Sequence, residues 1–284
     1  MGLTHIRTPR NFVLEERLER YADAIEERPE TYRGSWAHAC APLAEPGRTA
    51  AGFDAVHLDL GCGKGAYLAA CAARDPHALY LGMDTEPICI AYAAQRIAEE
   101  GISNALVLPR SAESLTRLFA PGELASITLN FPTPFPKRKF ARKRLVHVDQ
   151  LIGYRPLLRS GGTVTLRTDS QPLRDYALAQ FEGAGYELIW VSDDVRAEHP
   201  DFPVTEYEQR LAARGAAVYG ICAAPRVGGI HPELAERAHA AEQSLVAYLP
   251  QDLDALDYVP LGMEGFVLNA RNREAKGKRR VPQP

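Results

Sequence analysis

The chain has 284 residues, of which 46% are apolar, and its formal net charge is −3. This length and apolar fraction predict one large α/β domain, with or without appendages, and a sizeable hydrophobic core. The small negative charge excludes a general attraction to nucleic acid, so any contact with a polyanion must come from a local cluster of cations.

Cysteine use and hydropathy indicate where the protein works. The five cysteines have neither a paired metal-ligand spacing nor an even number, which favours reduced thiols in the cytoplasm over disulfides or zinc. No apolar run reaches the roughly 18 residues that span a bilayer, and residues 1–12 lack the apolar segment of a secretory signal. The sequence therefore predicts a cytoplasmic protein without membrane or metal, and leaves open whether it is a monomer or a homodimer.

Strands and helices are predicted to alternate along most of the chain. Residues 15–27 favour a polar helix and residues 29–36 a turn. Strands are then predicted at 56–60, 79–83, 105–108, 127–129, 163–168 and 187–191. Helices are predicted between them at 66–73, 88–100, 111–119, 148–158 and 173–184. This alternation predicts an α/β fold with a doubly wound sheet of mostly parallel strands, in which ligands bind at the carboxyl ends of strands.

Composition divides the chain into three regions. Residues 1–55 form an extension that is expected to pack on the α/β domain, which covers residues 56–224. Residues 225–284 form a C-terminal appendage, with a Pro/Gly linker and a helix predicted at 232–248. Six cations and one Glu fall within residues 271–280, and they favour a disordered basic tail.

A glycine-rich turn follows the first strand and opens a helix. It reads Gly61-Cys62-Gly63-Lys64-Gly65, and glycines at such a turn let the backbone approach a ligand closely. The spacing differs from the G-x-G-x-x-G of dinucleotide sites, and Lys64 is followed by Gly65 rather than by the Ser or Thr of a phosphate-binding loop.

Two carboxylates accompany this turn. Asp59 lies one residue before the end of the first strand, where it can face the amino group of a methionine moiety. Asp84 ends the second strand, where a carboxylate can accept hydrogen bonds from both hydroxyls of a ribose. With Gly61 and Gly63, these residues favour S-adenosylmethionine as the cofactor and a Rossmann-like class I methyltransferase sheet. The alternative is a plain strand-to-helix turn.

Residues 130–144 form the most informative segment, Asn-Phe-Pro-Thr-Pro-Phe-Pro-Lys-Arg-Lys-Phe-Ala-Arg-Lys-Arg. The three prolines fix φ and remove backbone donors, which predicts a stiff loop at the end of the fourth strand. Six cations follow within residues 137–144. A stiff loop that leads from a strand end into cations indicates a reaction site beside a polyanion, and the alternative is a solvated run of charge.

These motifs together resemble the bacterial tRNA (guanine-N7)-methyltransferases, which use S-adenosylmethionine to modify a guanine in the variable loop of tRNA. The resemblance covers roughly residues 7–222. It is carried by residues 29–36, 58–65, 81–84, 130–144, 168–169 and 205–208. The Asn-Phe-Pro-x-Pro-aromatic-Pro-Lys stretch with its basic block and the later Thr-x-Tyr-Glu are specific, because a generic methyltransferase shares only the first strand and turn.

The resemblance implies a role for each matching residue. The cofactor-binding residues would be Asp59, Gly61, Gly63, Asp84, Ser111 and Thr133. The substrate-binding residues would be Lys137, Asp169, Thr205, Glu206, Tyr207 and Glu208. The RNA-contacting residues would be Lys139, Arg142, Lys143 and Arg144. Within this set, Asp169 and Glu208 would accept hydrogen bonds from the N1–H and N2–H₂ groups of guanine, because carboxylates are acceptors only.

Two departures from the family remove a carboxylate. Thr133 stands where the family has a catalytic Asp between the first two prolines of the loop, and Ser111 stands where it has a cofactor-side Asp. Product guanine is cationic at N7, so nearby carboxylates would stabilise it. Because the N7 lone pair needs no strong base to attack a sulfonium methyl, the departures predict a weaker enzyme rather than an inactive one.

Two alternatives to an active tRNA methyltransferase stay open. One is a tRNA-binding paralogue that has lost catalysis, for which Ser111 and Thr133 are the evidence. The other is a methyltransferase for a small molecule, which would leave the cations of residues 137–144 unexplained.

Single residues also have structural alternatives. Asp169 can cap the helix that follows it, and Thr205 to Glu208 has the spacing of a capping box. Packing roles are expected for Tyr32, Trp36 and Cys62 and structural roles for His147 and His199. The cations of residues 271–280 could form a second RNA-contacting arm instead of a solvated tail.

Overall fold

The computed structural model describes residues 9–40, 42, 52–241, 243–254 and 256–278. Residues 1–8, which make up most of the segment 1–12 in which no secretory signal is predicted, lie outside the described residues, as do the last cations of the tail, Arg279 and Arg280. The chain divides into two units. The first runs to Asn130 and includes Pro156–Thr163, and the second contains Phe131–Arg155 and the residues from Val164 onward.

Four parallel strands form the described part of the sheet in the first unit. They are β1 Ala55–Leu60, β2 Ala78–Asp84, β3 Ala105–Pro109 and β4 Leu124–Asn130. Their order is β3-β2-β1-β4, and Leu58 of β1 pairs with Leu81 on one side and Ile127 on the other. Parallel strands are buried on both faces, which explains their near-continuous apolar residues.

Helices connect these strands and bury their apolar faces. The helices of the first unit are α1 Leu14–Arg20, α2 Trp36–Ala39, α3 Ala66–Arg74, α4 Pro87–Glu99 and α5 Leu115–Leu118. In α3 and α4 the buried residues include Leu68, Ala93 and Ile97, which pack in one apolar cluster. This burial supplies the main stabilisation of short helices, which are marginal in isolation.

The N-terminal extension packs on the first unit. The Tyr21 hydroxyl on the extension donates to Glu99 of α4 at 2.6 Å. Ile25 forms a parallel bridge with Val107, and the amide of Glu26 donates to the Val107 carbonyl at 2.9 Å. These contacts cover the outer edge of β3, whose unpaired backbone groups would otherwise be exposed.

Trp36 packs in the core, as expected from the sequence. It is fully buried, its indole N–H donates to the Leu118 carbonyl at 2.9 Å, and its ring contacts the rings of Tyr32 and Phe119. Trp36 therefore has a packing role, because a fully buried indole is inaccessible to a base.

The second unit contains the antiparallel strands of the fold. They are β6 Tyr186–Ser192, β7 Tyr219–Pro225 and the residues from Val164 onward of β5 Leu158–Thr168, in the order β5-β7-β6. Ile221 of β7 pairs with Leu166 on one side and Val191 on the other. The sequence did not predict β7, which is antiparallel to both β5 and β6. The expected parallel order is therefore found among β1–β4 but not among β5, β6 and β7.

The predicted fold class is confirmed. The described residues form seven β-strands, and helices alternate with them along the chain. This alternation is expected of a doubly wound Rossmann-like class I methyltransferase. The carboxyl ends of β1, β2 and β4 carry Asp59, Asp84 and Asn130. These strand ends are where such folds bind ligands.

The described helices of the second unit are α6 Val148–Tyr154, α7 Gln171–Gly183, α8 Val195–Glu198, α9 Glu206–Ala212, α10 Pro232–Ala240 and α11 Glu264–Glu274.

A buried glutamine joins three of these helices. Gln180 of α7 accepts from the Val148 amide and donates to the Ala238 carbonyl, both at 3.0 Å. The C-terminal region is therefore anchored to the second unit through its first helix.

The C-terminal region differs from the predicted appendage in two ways. The predicted helix over 232–248 ends at Ala240 in α10, and a separate 3₁₀ turn follows at Leu245–Tyr248. The predicted disordered tail begins inside α11, which continues to Glu274. The physical reason is that Val267 and Ala270, one helical turn apart, are buried and hold this helix in place.

Three further observations concern cysteines, metals and membranes. None of the five cysteines, all of which lie in the described ranges, forms a disulfide. Within the described ranges, no three His, Cys, Asp or Glu side chains are grouped so that they could hold a metal ion. In that same part of the chain, no helix has the length and apolar character needed to cross a bilayer.

Candidate active site

Asp84 braces the glycine-rich turn of the first unit. One carboxylate oxygen accepts from the Gly63 amide and the other from the Glu86 amide, both at 2.9 Å. The amides of Gly61 and Cys62 donate to the carbonyl of Met83, at 2.7 and 3.1 Å. The predicted cofactor-binding residues Gly61, Gly63 and Asp84 thus form one hydrogen-bonded group, and Asp84 keeps lone pairs for further donors.

Two glycines of this turn have different physical roles. Gly63 has φ +54°, and no atom lies within 4 Å of the position that a Cβ would occupy. Gly65 has φ +72°, and a Cβ there would lie 2.8 Å from the Cβ of Ala93. Gly65 therefore permits close packing of α3 on α4, whereas Gly63 leaves space in which a ligand can approach the backbone.

Asp59 and Asn130 form a polar pair at the ends of adjacent strands. The Asn130 amide donates to Asp59 at 3.2 Å, and Asp59 is only 5% exposed. Among the described residues, the buried amide oxygen of Asn130 accepts no hydrogen bond. A carboxylate beside an unsatisfied amide oxygen fits an ammonium group, so this pair fits the methionine end of S-adenosylmethionine.

Ser111 and Cys62 complete the first unit's candidate residues. Ser111 follows β3 and begins the 3₁₀ turn Ala112–Ser114, whose Ser114 hydroxyl donates to the Ser111 carbonyl at 2.6 Å.

Burial raises the pKa of the Cys62 thiol well above its ordinary value. Cys62 therefore stays neutral and packs beside Gly82, as expected, instead of acting as a nucleophile.

The proline-rich loop of the second unit is strained. Phe131 has φ 47° and Phe135 has φ 44°, which is unfavourable for aromatic residues and costs roughly 1–3 kcal/mol at each position. The Phe131 amide donates to the Arg167 carbonyl at 2.7 Å. Thr133 lies between the two strained residues and is exposed. Loops that store such strain are typical of functional sites.

Arg144 holds this loop from within the protein. It is 1% exposed, and its guanidinium donates to the carbonyls of Pro134 and Phe135 at 3.1 and 2.7 Å and to that of Pro136 at 3.5 Å. The guanidinium carbon also lies 4.4 Å from the centroid of the Tyr176 ring. The predicted RNA contact of Arg144 is therefore corrected, because the side chain is buried and engaged by the loop.

The remaining cations of the basic block are exposed. Residues Arg138–Lys143 form a 3₁₀ helix, and Lys137, Lys139, Arg142 and Lys143 lie at the surface. The Arg142 side chain is 83% exposed. Exposed cations can reach phosphates, and the RNA contacts of these four residues stay a prediction.

Asp169 is held by the C-terminal region. One of its oxygens accepts from the Tyr258 hydroxyl at 2.5 Å and from the Leu261 amide at 3.3 Å. Ser170, and not Asp169, caps α7, because the Ser170 hydroxyl accepts from the Leu173 amide at 3.3 Å. The helix-capping alternative for Asp169 is therefore excluded, and its carboxylate stays available as a candidate substrate ligand.

Glu208 differs from its predicted position in the site. It is fully buried and forms an ion pair of 2.8 Å with Arg167, which is 1% exposed. Its amide donates to the Thr205 hydroxyl at 3.2 Å, so Thr205 is the N-cap of α9. The predicted reading of guanine by Glu208 is corrected, because a buried carboxylate must stay paired with its cation.

Tyr207 is the member of this tetrad that packs against the proline-rich loop. It is 37% exposed, and its ring packs edge-on against Phe131 at 5.3 Å between centroids. Burial, with a smaller effect from the charge of Asp169, raises the pKa of Tyr207 to about 12. Tyr207 is thus a neutral aromatic side chain that packs on Phe131, and Glu206, its neighbour in the sequence, is exposed.

Comparisons with known proteins place this chain in a family. A family model described as "Putative methyltransferase" matches residues 54–221, a range that contains every residue predicted to bind cofactor, substrate or RNA. Among solved structures, that of the 16S rRNA methyltransferase KamB has a TM-score of 0.48 at 18% identity, over 60% of this chain and 87% of that chain.

Several curated relatives carry the name tRNA (guanine-N(7)-)-methyltransferase. The Streptococcus suis (strain 05ZYH33) protein is 31% identical, covering 68% of this chain and 87% of its own length. The Geobacillus kaustophilus (strain HTA426) protein is 31% identical, covering 72% and 90%, and the Bacillus subtilis (strain 168) protein is 30% identical, covering 71% and 91%. With this identity over most of its length, the chain belongs to the tRNA (guanine-N7)-methyltransferase family.

Proposed function

We propose that this chain transfers a methyl group from S-adenosylmethionine to N7 of a guanine in the variable loop of tRNA. The observation that carries the proposal is that relatives named for this reaction align with 68–72% of the chain. The matched family range, 54–221, lies almost entirely within residues 56–224, which we assign as the catalytic region.

In this proposal the first unit holds the cofactor, which supplies an electrophilic methyl group on a sulfonium. Asp59 and the free amide oxygen of Asn130 accept from the amino group, and Asp84 accepts from the ribose hydroxyls while it braces the turn. Gly63 leaves room for the backbone to approach. Ser111 accepts from the adenine amine, although it provides no charge where the family has a carboxylate.

The second unit holds the guanine. Asp169 accepts from the N1–H and N2–H₂ edge, Tyr207 and Phe131 provide aromatic surface, and Lys137 contacts the RNA backbone. Guanine N7 has a free in-plane lone pair, so these residues need only to orient the base and exclude water. As the base becomes cationic, the Asp169 carboxylate stabilises the developing charge.

The proposal is tested by methyl transfer from labelled S-adenosylmethionine to bulk unmodified tRNA, with the product nucleoside identified by mass spectrometry. We expect 7-methylguanosine. Binding of tRNA without turnover would instead identify a paralogue that has lost catalysis. Methyl transfer that proceeds equally without RNA would identify a small-molecule methyltransferase, and either result would contradict the proposal.

The exposed cations predict a salt-dependent affinity for tRNA. Replacing both Arg142 and Lys143 by Gln is expected to lower the magnitude of the slope of log affinity against log salt concentration by about two. The reason is that the variant loses two phosphate contacts, so that fewer counterions are released on binding. Filter binding or fluorescence anisotropy at several salt concentrations measures this slope.

A matched control separates local contacts from net charge. Arg20 and Arg237 are exposed cations outside the basic block, and replacing both with Gln removes the same charge. We expect this control to keep the wild-type slope. An equal change in both double variants would mean that the cations of the block act only through the net charge.

Two further properties belong to the proposal. A tRNA substrate and five cysteines outside any disulfide support the cytoplasm as the place of action. The prediction of a monomer or homodimer is checked by light scattering coupled to size-exclusion chromatography, which measures the molar mass in solution.

A further inference from the structure

The C-terminal region contacts two residues predicted to bind substrate. Tyr258 and Leu261 donate to Asp169, and the Lys137 ammonium lies 6.0 Å from the centroid of the Phe266 ring. Residues 258–266 follow the last residue of the family match, 221. A segment outside the family match therefore lies against the predicted substrate residues.

This segment is anchored, so its contacts with Asp169 are part of the folded unit. Met263 is fully buried, and its sulfur accepts from the Ser170 hydroxyl at 3.6 Å. Ser170 follows Asp169 directly in the chain and caps α7. The same strand-to-helix junction thus fixes both the carboxylate and the segment that binds it.

The hydrogen bonds to Asp169 use one side of its carboxylate. Tyr258 and Leu261 both donate to the same oxygen, Oδ2. Among the described residues, no donor contacts the other oxygen, Oδ1, and Asp169 is 8% exposed. Burial and the hydrogen bond to Asp169 raise the pKa of Tyr258, so its phenol stays protonated as a donor.

We propose that residues 258–266 complete the guanine site and that Tyr258 is a positioning residue, which fixes Asp169 so that Oδ1 accepts from the base. The inference rests on the proposed function. A carboxylate held by two donors has lost its rotational freedom before substrate binds, and preorganised acceptors of this kind bind more strongly than mobile ones. The site of this chain therefore depends on a region beyond the family match.

The test is Tyr258→Phe, which removes the hydroxyl and keeps the ring. We expect kcat/KM for tRNA to fall by about tenfold to a hundredfold, as for the loss of one hydrogen bond to a charged group. The affinity for S-adenosylmethionine, measured by calorimetry, should be unchanged. Tyr186→Phe is the matched control, because Tyr186 also loses a buried hydroxyl, one that donates to the Leu151 carbonyl at 2.9 Å.

A double-mutant cycle separates positioning from general stabilisation. Single-turnover rates are measured for the wild type, Tyr258→Phe, Asp169→Ala and the double variant, because alanine removes both oxygens that accept hydrogen bonds. If Tyr258 acts through Asp169, the Tyr258 change has no further effect once the carboxylate is gone. An equal loss in both backgrounds would mean that Tyr258 only stabilises the fold and would overturn the inference.

The outcomes also separate this inference from the proposed function. A wild-type protein that forms no 7-methylguanosine overturns the proposed function and the inference with it. An active wild type with an unchanged Tyr258→Phe variant overturns the inference alone. A faster Tyr258→Phe variant would also overturn it, since it would mean that the segment competes with guanine for Asp169.

Discussion

Replacing Thr133 with Asp is expected to raise the rate of methyl transfer at saturating tRNA by about tenfold to a hundredfold. The carboxylate would stabilise the positive charge that develops on guanine, and loss of one such preorganised group typically costs about 10²–10³ in rate. We expect an effect about tenfold smaller than this because Thr133 is exposed, where water screens the charge. Single-turnover rates with excess enzyme measure the effect.

Thr133→Asn is the control for this prediction, because the Asn side chain has the shape of Asp but carries no charge. We expect its rate to stay within about threefold of wild type, since a neutral amide contributes much less to a developing cation. Equal rates for the Asp and Asn variants would show that charge at this position has no role. Rates are compared at saturating tRNA because the new carboxylate also repels RNA phosphates.

The second large effect is expected at Arg144. Arg144→Met should lower the free energy of unfolding by about 2–4 kcal/mol, because the loop carbonyls lose hydrogen bonds to a charged donor and Phe135 loses the contact that holds its strained backbone. Methyl transfer should be lost with the loop geometry. Urea unfolding and single-turnover assays measure the two effects.

Two variants control the interpretation of Arg144→Met. Arg142→Met removes a neighbouring cation that is 83% exposed, so its free energy of unfolding should stay within about 0.5 kcal/mol of wild type. Arg144→Lys keeps the charge but should also have a lower rate of methyl transfer than wild type, because one ammonium group cannot reproduce the hydrogen bonds of a planar guanidinium to several carbonyls. A stable, active Arg144→Lys variant would contradict the role of Arg144 in holding the loop.

The basic block illustrates what a pattern of residue types can and cannot predict. Lys139, Arg142, Lys143 and Arg144 are equivalent in a count of charges, and the sequence assigns all of them to RNA. The fold buries Arg144, because three loop carbonyls and the Tyr176 ring surround it. Which cation of a run turns inward depends on the path of the loop, and that path is set by contacts distant in sequence.

The glycine-rich turn shows the opposite case. Gly61, Gly63 and Asp84 are predicted from spacing alone. In the structure the Gly63 amide donates to Asp84, and the Gly61 amide donates to the carbonyl of the neighbouring Met83. Such a turn is predictable because its conformation is local and because parallel neighbouring strands bring their carboxyl ends together. The same reasoning could have identified Asn130, which ends the strand next to that of Asp59.

The sequence by itself determined the fold class, the glycine-rich turn, the proline-rich loop and the family, because periodicity, glycine spacing and local motifs depend on neighbours in the chain. Tertiary structure alone decided that β7 inserts between β5 and β6, that Glu208 is buried against Arg167, and that Tyr258 binds Asp169. These contacts join residues 41 and 89 positions apart. No local pattern encodes them, because pairing of buried polar groups is selected by the packing of the whole unit.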